Sequence, residues 1–185
     1  VMPGHKYVPF ASVSNESLNN SITLNSPSKS FNTAGLQIAN IICKNEDWQR
    51  RIDRAINDNE VCDVNPFGVI ALQAAYNHGE EWLDALNAYL YENYQALRAF
   101  FATAMPSVRL TRLEGTYLIW ADISALGISA DELSERLLHE GKVWMTSGTV
   151  YHDPQSMQHL RINIACPRSR MMEGLERMAK VVNTL

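Results

Sequence analysis

The residues of this chain that could carry out chemistry begin with one amine among hydroxyls. Lys29 lies in the run Ser26-Pro27-Ser28-Lys29-Ser30, directly after a short strand predicted over residues 21–24. A lysine amine can condense with an aldehyde, while hydroxyl and backbone N–H donors can hold a phosphate. An aldehyde cofactor with a phosphate group, such as pyridoxal phosphate, requires both functions. The alternative is that Lys29 is a solvated loop residue, as most lysines beside serines are.

Nucleotide-binding motifs do not explain this run. A P-loop needs glycine directly before its Lys-Ser pair and again five positions earlier, and Ser28 and Thr23 occupy those positions. The 9 glycines are scattered, and none forms the G-x-G-x-x-G turn of a dinucleotide site. Lys29 and Ser30 are therefore not a nucleotide-binding pair.

Composition and charge exclude several classes of function. The chain has 185 residues, 46% hydrophobic and 19% charged, which is typical of a globular protein with a real core. Its net charge of −4, from 16 basic and 20 acidic residues, argues against nucleic-acid binding. Three cysteines without C-x-x-C spacing predict neither disulfides nor a metal site, and a reducing cytoplasm is the default. No apolar run approaches the ~20 residues of a membrane span.

Hydrophobic periodicity predicts an α/β chain. Trp48, Ile52 and Ile56 mark one helical face, and Ser129 with Glu132 has the spacing of a capping box. A long helix that begins after His78-Gly79 must connect two separately folded parts of the protein. The predicted elements are an extended stretch at 7–13, a polar linker at 14–17, strands at 21–24, 37–43 (buried), 108–110, 116–122, 143–145 and 159–165, and helices at 46–57, 66–77, 80–104, 129–140 and 168–182.

The longer run SPSKSFNTAGLQIAN resembles the cofactor-lysine segment of fold-type I pyridoxal phosphate enzymes, the class I/II aminotransferase superfamily. It is most similar to the cystathionine β-lyase-like carbon–sulfur lyases. Three more segments follow the same family's order: Gly4-His5-Lys6, Glu114-Gly115-Thr116-Tyr117-Leu118 and the run from Arg161 to Arg168. The resemblance implies the end of a large cofactor-binding domain at 1–79, an interdomain helix at 80–104 and a small α+β C-terminal domain at 105–185.

The resemblance also implies roles for three polar residues near the cofactor. Lys29 would hold pyridoxal phosphate as an aldimine and, once released, remove the Cα proton of the substrate. One or both of Ser26 and Ser28 would donate hydroxyl hydrogen bonds to the cofactor phosphate. Their alternative role is turn chemistry around Pro27.

Two residues would face the amino-acid substrate. Arg161 matches the family's arginine that binds the α-carboxylate, and its planar guanidinium suits a bidentate contact. It lies in an otherwise apolar strand, where an unpaired charge is costly, and the alternative is a surface residue on an edge strand. Tyr117 could approach the substrate, although an aromatic in a strand is more often core.

Other positions are less specific. Many relatives carry an arginine about eight residues after the lysine to pair with the phosphate, and this chain has Gln37 there. Asn32 could orient the lysine loop through side-chain hydrogen bonds or form a plain Asx turn. Arg168 and Arg170 are expected to be ordinary solvated residues at a helix start, and no histidine shows metal-ligand spacing.

The leading functional hypothesis is a carbon–sulfur β-lyase acting on amino acids. An aminotransferase of the same fold is the alternative, and a non-catalytic fold remnant or dimerisation module is a third. In the resembled family the partner of the pyridine nitrogen, the ring stacked on the cofactor and further phosphate donors lie more than 29 residues before the lysine. We therefore expect this chain to be a fragment of roughly the C-terminal half, inactive or nearly so alone. By resemblance the parent is expected to be a homodimer.

Overall fold

The computed structural model describes residues 1–185, which form two compact units. Residues 6–86 make the first unit, and residues 1–5 with 87–185 make the second. The division falls inside one long helix, so the helix begins in one unit and ends in the other. Domain boundaries at 79 and 104 stay a prediction. None of the helices is long and apolar enough to cross a bilayer.

The first unit contains two short strands and three complete helices. The strands β1 and β2 pair antiparallel, with Ile22 opposite Cys43. The elements are α1 (Asn15–Asn19), β1 (Ile22–Asn25), β2 (Asn40–Cys43), α2 (Glu46–Asp58), α3 (Pro66–His78) and the start of α4 (Glu80–Ala104).

Local capping explains where the helices of this unit begin. The Asn45 side chain accepts hydrogen bonds from the N–H groups of Asp47 and Trp48 and so starts α2. Asn65 caps α3 in the same way, directly before Pro66. The predicted helices at 46–57, 66–77 and 80–104 are confirmed to within one residue at each end.

Two predictions for the first unit are wrong. The stretch 7–13 is not extended, because Phe10–Ser12 forms a 3₁₀ turn, and the polar linker starts α1, whose first turn is capped by the hydroxyl of Ser14. The strand predicted at 37–43 covers only Asn40–Cys43 and is exposed, with Ile42 56% accessible. Apolar composition favours a strand but does not decide which neighbours cover it.

The second unit is an antiparallel four-stranded sheet with two helices beside the C-terminal part of α4. The strand order is β3-β4-β6-β5. This is the α+β arrangement that the resemblance implies. The elements are β3 (Arg109–Leu110), β4 (Leu118–Asp122), α5 (Ala130–Arg136), β5 (Thr146–Ser147), β6 (His159–Asn163) and α6 (Arg168–Val182).

The core of this unit is formed by one face of α4, one face of the sheet and the inner face of α6. Burial of each large apolar side chain in such a core contributes about 1.5–3 kcal/mol. The buried residues include Leu90, Leu97 and Phe101 from α4, Ile119, Ala121, Leu160 and Ile162 from the sheet, and Met171, Leu175 and Met178 from α6.

The α5 region differs from its prediction. The helix begins at the predicted capping box, where the Ser129 hydroxyl accepts from the Glu132 N–H. It is α-helical only to Arg136 and then widens into a π turn at Leu137–Gly141. Lys142, directly after the π turn, has a left-handed φ of 53°, and the backbone becomes a strand only at β5 (Thr146–Ser147), so the strand predicted at 143–145 is wrong.

Candidate active site

Lys29 lies on a tight turn that connects the end of β1 with a 3₁₀ turn at Ala34–Leu36. Two backbone hydrogen bonds close the turn, from Phe31 N–H to Pro27 C=O at 2.9 Å and from Thr33 N–H to Ser28 C=O at 3.1 Å. The Lys29 side chain is exposed and has no salt-bridge or hydrogen-bond partner in the chain. The structure therefore presents a free amine on an ordered turn, an arrangement that fits the cofactor-lysine hypothesis and also its alternative of a solvated loop residue.

The hydroxyls of Ser26 and Ser28 form a pair beside that amine. Their oxygens are 2.6 Å apart, and the Ser26 hydroxyl also lies 2.8 Å from the Ile38 carbonyl oxygen. A hydroxyl has one proton, so if Ser26 donates to Ile38, then Ser28 must donate to Ser26. Ser26 additionally accepts from the Ser28 N–H at 3.2 Å. The turn chemistry expected as the alternative is therefore present, with Ser26 at its centre.

Two further residues of the lysine turn act differently from their expected roles. Asn32 has φ of 54° and makes no side-chain hydrogen bond, so its contribution is the left-handed backbone conformation that asparagine tolerates well. Gln37, where relatives carry arginine, also has a left-handed conformation and is exposed. Sequence reasoning missed Thr33, whose buried hydroxyl has no hydrogen-bond partner. A buried hydroxyl without a hydrogen-bond partner is rare in native structures.

Arg161 occupies the middle of β6, flanked in register by Trp120 of β4 and Thr146 of β5. Its guanidinium donates to the Thr146 hydroxyl at 3.4 Å and to the hydroxyl of Tyr151, over whose ring it also lies at 5.7 Å. No carboxylate lies within 4 Å of it in the second unit. The guanidinium is therefore oriented by neutral partners while its charge stays uncompensated, as a carboxylate-binding arginine requires.

Tyr151 is the functional candidate that sequence reasoning missed. It is the last residue of a 3₁₀ turn (Gly148–Tyr151), ten residues before Arg161, and its ring meets Trp120 edge-on at 5.2 Å. Ser156 holds this segment through a hydrogen bond from its hydroxyl to the Gly148 carbonyl at 2.8 Å. No spacing rule connects a loop tyrosine with a strand arginine, so the sequence carried no signal for this contact.

Tyr117 is half-buried and lies directly before β4 rather than inside it. Its carbonyl accepts from the Ile164 N–H at 3.0 Å, which continues the ladder between β4 and β6. Two of the resembled segments meet nearby, because His5 Nδ1 lies 3.9 Å from the Glu114 carboxylate, and the Met2 N–H donates to the Glu114 carbonyl at 2.9 Å. The contact of Tyr117 with a substrate stays a prediction.

The expectation that Arg168 is an ordinary solvated residue is wrong. Its guanidinium donates to the Asn93 side-chain oxygen at 3.1 Å and to Glu92 at 2.7 Å, and it lies 5.5 Å from the Tyr89 ring. Asn93 is fully buried and donates to the carbonyls of Ile164 and Cys166, both at 3.0 Å. This network joins α4 to the segment that follows β6 and so supports the strand that carries Arg161.

A cavity of about 410 Å³ lies beside the same strand. Arg161, Trp144, Cys166 and Arg170 are among its lining residues. Burial raises the pKa of the Cys166 thiol, and the Arg170 cation partly offsets that effect. The structure contains no cluster of three or more histidine, cysteine or acidic side chains suited to a metal ion.

The site residues divide between the two units. Lys29, Ser26 and Ser28 belong to the first unit and lie together on one turn, whereas Arg161 and Tyr117 belong to the second. Each half can be described by itself, as an amine with neighbouring hydroxyls and as a guanidinium on a sheet face. Together these are the polar groups that an amino-acid-transforming enzyme with a phosphorylated aldehyde cofactor needs.

Comparison with known proteins agrees with that class. The chain is 38% identical over 175 residues to cystathionine beta-lyase PatB of Bacillus subtilis, covering 95% of this chain and 45% of that protein. A PLP-bound structure from Clostridium difficile matches with a TM-score of 0.95 and 37% identity, over 99% of this chain and 47% of that one. Cystalysin of Treponema denticola, which contains pyridoxal 5'-phosphate, matches with a TM-score of 0.94 and 30% identity, over 100% and 46%.

The family follows from the extent of the match. The model of aminotransferase class I and II matches residues 2–178, which is nearly the whole chain. The chain therefore belongs to the aminotransferase class I and II family. It spans about half the length of the curated relatives it matches and corresponds roughly to the C-terminal half of the structural neighbours.

Proposed function

We propose that the protein carrying this chain is a pyridoxal phosphate-dependent carbon–sulfur β-lyase that acts on cystathionine or related cysteine conjugates. The observation that carries the proposal is the free amine of Lys29 on an ordered turn. The adjacent hydroxyl, that of Ser28, can turn from Ser26 to a phosphate. The likeness to a cystathionine β-lyase over 95% of the chain supports the lyase branch.

The polar groups of the turn fit the cofactor. Lys29 Nζ would hold the aldehyde carbon, because it is exposed and unpaired. The Ser28 hydroxyl would give up its hydrogen bond to Ser26 and donate to the phosphate instead. The Ser26 hydroxyl would keep donating to the Ile38 carbonyl and so support the turn. The two serines would thus have unequal roles, with Ser28 as ligand and Ser26 as support.

Bound pyridoxal phosphate supplies an electron sink for the pair left when the Cα–H bond breaks. Arg161 would bind the substrate carboxylate through its planar fork and so hold the Cα–H bond in one orientation. Tyr151 and Thr146 would keep the fork in plane. Lys29 Nζ would take the Cα proton as general base. A thiolate then leaves from Cβ and takes up a proton to give the thiol, and water hydrolyses the remaining three-carbon fragment to pyruvate and ammonia.

An aminotransferase is the second candidate, favoured by the family model itself. Both reactions need the same lysine and arginine, so the residues of this chain do not separate them. The full-length protein given cystathionine should release pyruvate and a thiol. Appearance of a new amino acid only when a keto acid is added would support the aminotransferase instead.

The role of Lys29 can be tested by trapping. Borohydride treatment of the full-length protein with pyridoxal phosphate should label Lys29, and Lys29→Ala should abolish both label and turnover. Lys44→Ala is the matched control, since Lys44 is also an exposed lysine of the first unit. A label on another residue, or an unchanged cofactor band in Lys29→Ala, would overturn the assignment and leave the non-catalytic alternative.

The serine roles predict unequal variants. Ser28→Ala should weaken pyridoxal phosphate binding by about tenfold, the effect of losing one hydrogen bond to a charged group. Ser26→Ala should act mainly on the stability of the turn. Assembly as a homodimer and location in the cytoplasm are further expectations, which sedimentation of the full-length protein and cell fractionation would test.

A further inference from the structure

An aromatic corner lies behind the lysine turn, formed by Phe31 with Tyr76 of α3, Gly79 between the helices and Trp82 of α4. All four residues belong to the first unit. We propose that this corner, called the Phe31 seat below, is the device that positions Lys29. The role of Lys29 in this proposal rests on the proposed function, whereas the hold of the seat on the turn does not.

The turn needs an external anchor. Lys29 itself is exposed, two backbone hydrogen bonds close the segment, and the Ser26–Ser28 bonds lie only on the side before the lysine. A short exposed turn with so few internal bonds opens easily unless its side chains are held. Pro27, two residues before the lysine, is fully buried and anchors the first side of the turn. Phe31, two residues after the lysine, is the corresponding anchor on the second side.

The ring of Phe31 has specific partners. It stacks on Trp82 with ring centroids 5.8 Å apart and planes at 28°, and it meets Tyr76 edge-on at 6.2 Å. Both separations lie in the range in which aromatic pairs attract beyond simple burial. The same ring therefore contacts the last turn of α3 and the first turn of α4.

Gly79 provides the space for that ring. A Cβ atom at Gly79 would lie 2.5 Å from Phe31 Cε1 and equally close to the Ala75 carbonyl oxygen. The backbone of Gly79 has φ of −95°, a value open to any residue, so its conformation does not require glycine. Glycine is required because neighbouring atoms approach closely, and one of the two neighbours that a Cβ would meet is the Phe31 ring.

Tyr76 connects the seat to the other side of the turn. Its hydroxyl donates to the side-chain oxygen of Asn25, the last residue of β1. One tyrosine thus contacts the ring that follows Lys29 and the strand that precedes it. Ordinary core packing would fill space around Phe31 without this second link. The seat ties both ends of the turn to one corner between α3 and α4, which limits where the Lys29 amine can lie.

The first test measures the turn in the full-length protein, by amide hydrogen exchange in NMR spectra. Phe31→Ala should speed exchange of the amides at positions 31 and 33 about tenfold or more, because partial loss of aromatic packing favours local opening. Phe31→Leu should recover part of the protection. Phe67→Ala is the matched control, since Phe67 is an aromatic of the same unit that is 71% exposed, and it should leave both amides unchanged.

The second test measures the consequence for the site, as the equilibrium dissociation constant for pyridoxal phosphate in the full-length protein. If Phe31→Ala leaves the turn in its binding conformation one-tenth of the time, the apparent constant should rise about tenfold. Borohydride labelling of position 29 at subsaturating cofactor should fall in parallel. Phe31→Leu should lie between the two.

Each result decides the proposal. Unchanged amide exchange in Phe31→Ala would overturn the hold of the seat on the turn, and faster exchange with unchanged cofactor affinity would overturn its positioning role. If Phe31→Ala also exposes the amides of α3, the milder Phe31→Leu decides in its place. A wild-type protein that binds no pyridoxal phosphate would overturn the proposed function, while the amide test would still decide whether the seat holds the turn.

Discussion

Removing the buried amide of Asn93 should destabilise the second unit strongly. This residue is fully buried on α4 and makes three hydrogen bonds, two to backbone carbonyls after β6 and one from Arg168. Asn93→Ala leaves the two carbonyls without a donor and the guanidinium without one acceptor. The two neutral bonds contribute about 1 kcal/mol each. The charge-assisted bond is discounted to about the same value because Arg168 is 41% exposed, so the expected loss in the free energy of unfolding is about 3 kcal/mol.

Urea unfolding followed by circular dichroism measures this loss. With a slope of about 2 kcal/mol per molar urea, a loss of about 3 kcal/mol lowers the midpoint by about 1.5 M. Asn93→Asp keeps the size and the acceptor for Arg168 but replaces the donor amide by a buried carboxylate. It should therefore destabilise at least as much as alanine, since the carbonyls lose their donors and a charge is buried.

A matched control lies on the same helix. Asn87 is half-buried and makes no side-chain hydrogen bond, so Asn87→Ala should shift the midpoint little. A shift of less than about 0.5 M for Asn93→Ala would refute the reasoning, because it would mean that water replaces the amide at no cost. A stable Asn93→Asp variant would show that the donors to Ile164 and Cys166 are unimportant.

Three further outcomes are expected. Tyr151→Phe in the full-length protein should raise KM for the amino-acid substrate about tenfold with little change in kcat, because one hydrogen bond that orients the carboxylate clamp is lost. Iodoacetamide should modify exposed Cys62 before Cys166, whose thiol pKa is raised by burial, as peptide mapping over time would reveal. Hydrogen bonds from Ser124 lower the pKa of the Asp122 carboxyl. They therefore stabilise the fold above about pH 4, and this stabilisation is lost as the pH falls through the lowered pKa. Asp122→Asn should flatten that part of the acid unfolding curve.

Much of the architecture could be predicted from local patterns. The helices α2, α3, α4 and α6 begin and end within one residue of prediction, because capping residues and apolar periodicity act over a few positions of the chain. Lys29 on a strand-end turn was also predictable, since a strand followed by Pro27 and small polar residues favours a turn.

The errors arose where local patterns do not decide. The stretch around Phe10 contains apolar and small residues that suit a strand, yet Ser14 caps a helix directly after it. β5 begins three residues after its predicted start, and no residue type signals the π turn after α5 or the left-handed Lys142 that follows it. The exposure of Ile42 depends on which elements cover β2, which is a property of packing.

The amino-acid sequence alone determines the reactive groups, because an amine, two hydroxyls and a guanidinium are defined by residue type. It does not determine which residues hold those groups in place. Tyr151 beside Arg161, Asn93 beneath the end of β6 and Trp82 against Phe31 all join residues 10 to 73 positions apart. Such contacts depend on how helices and strands pack, and packing follows from burial and shape across the whole unit rather than from short-range spacing.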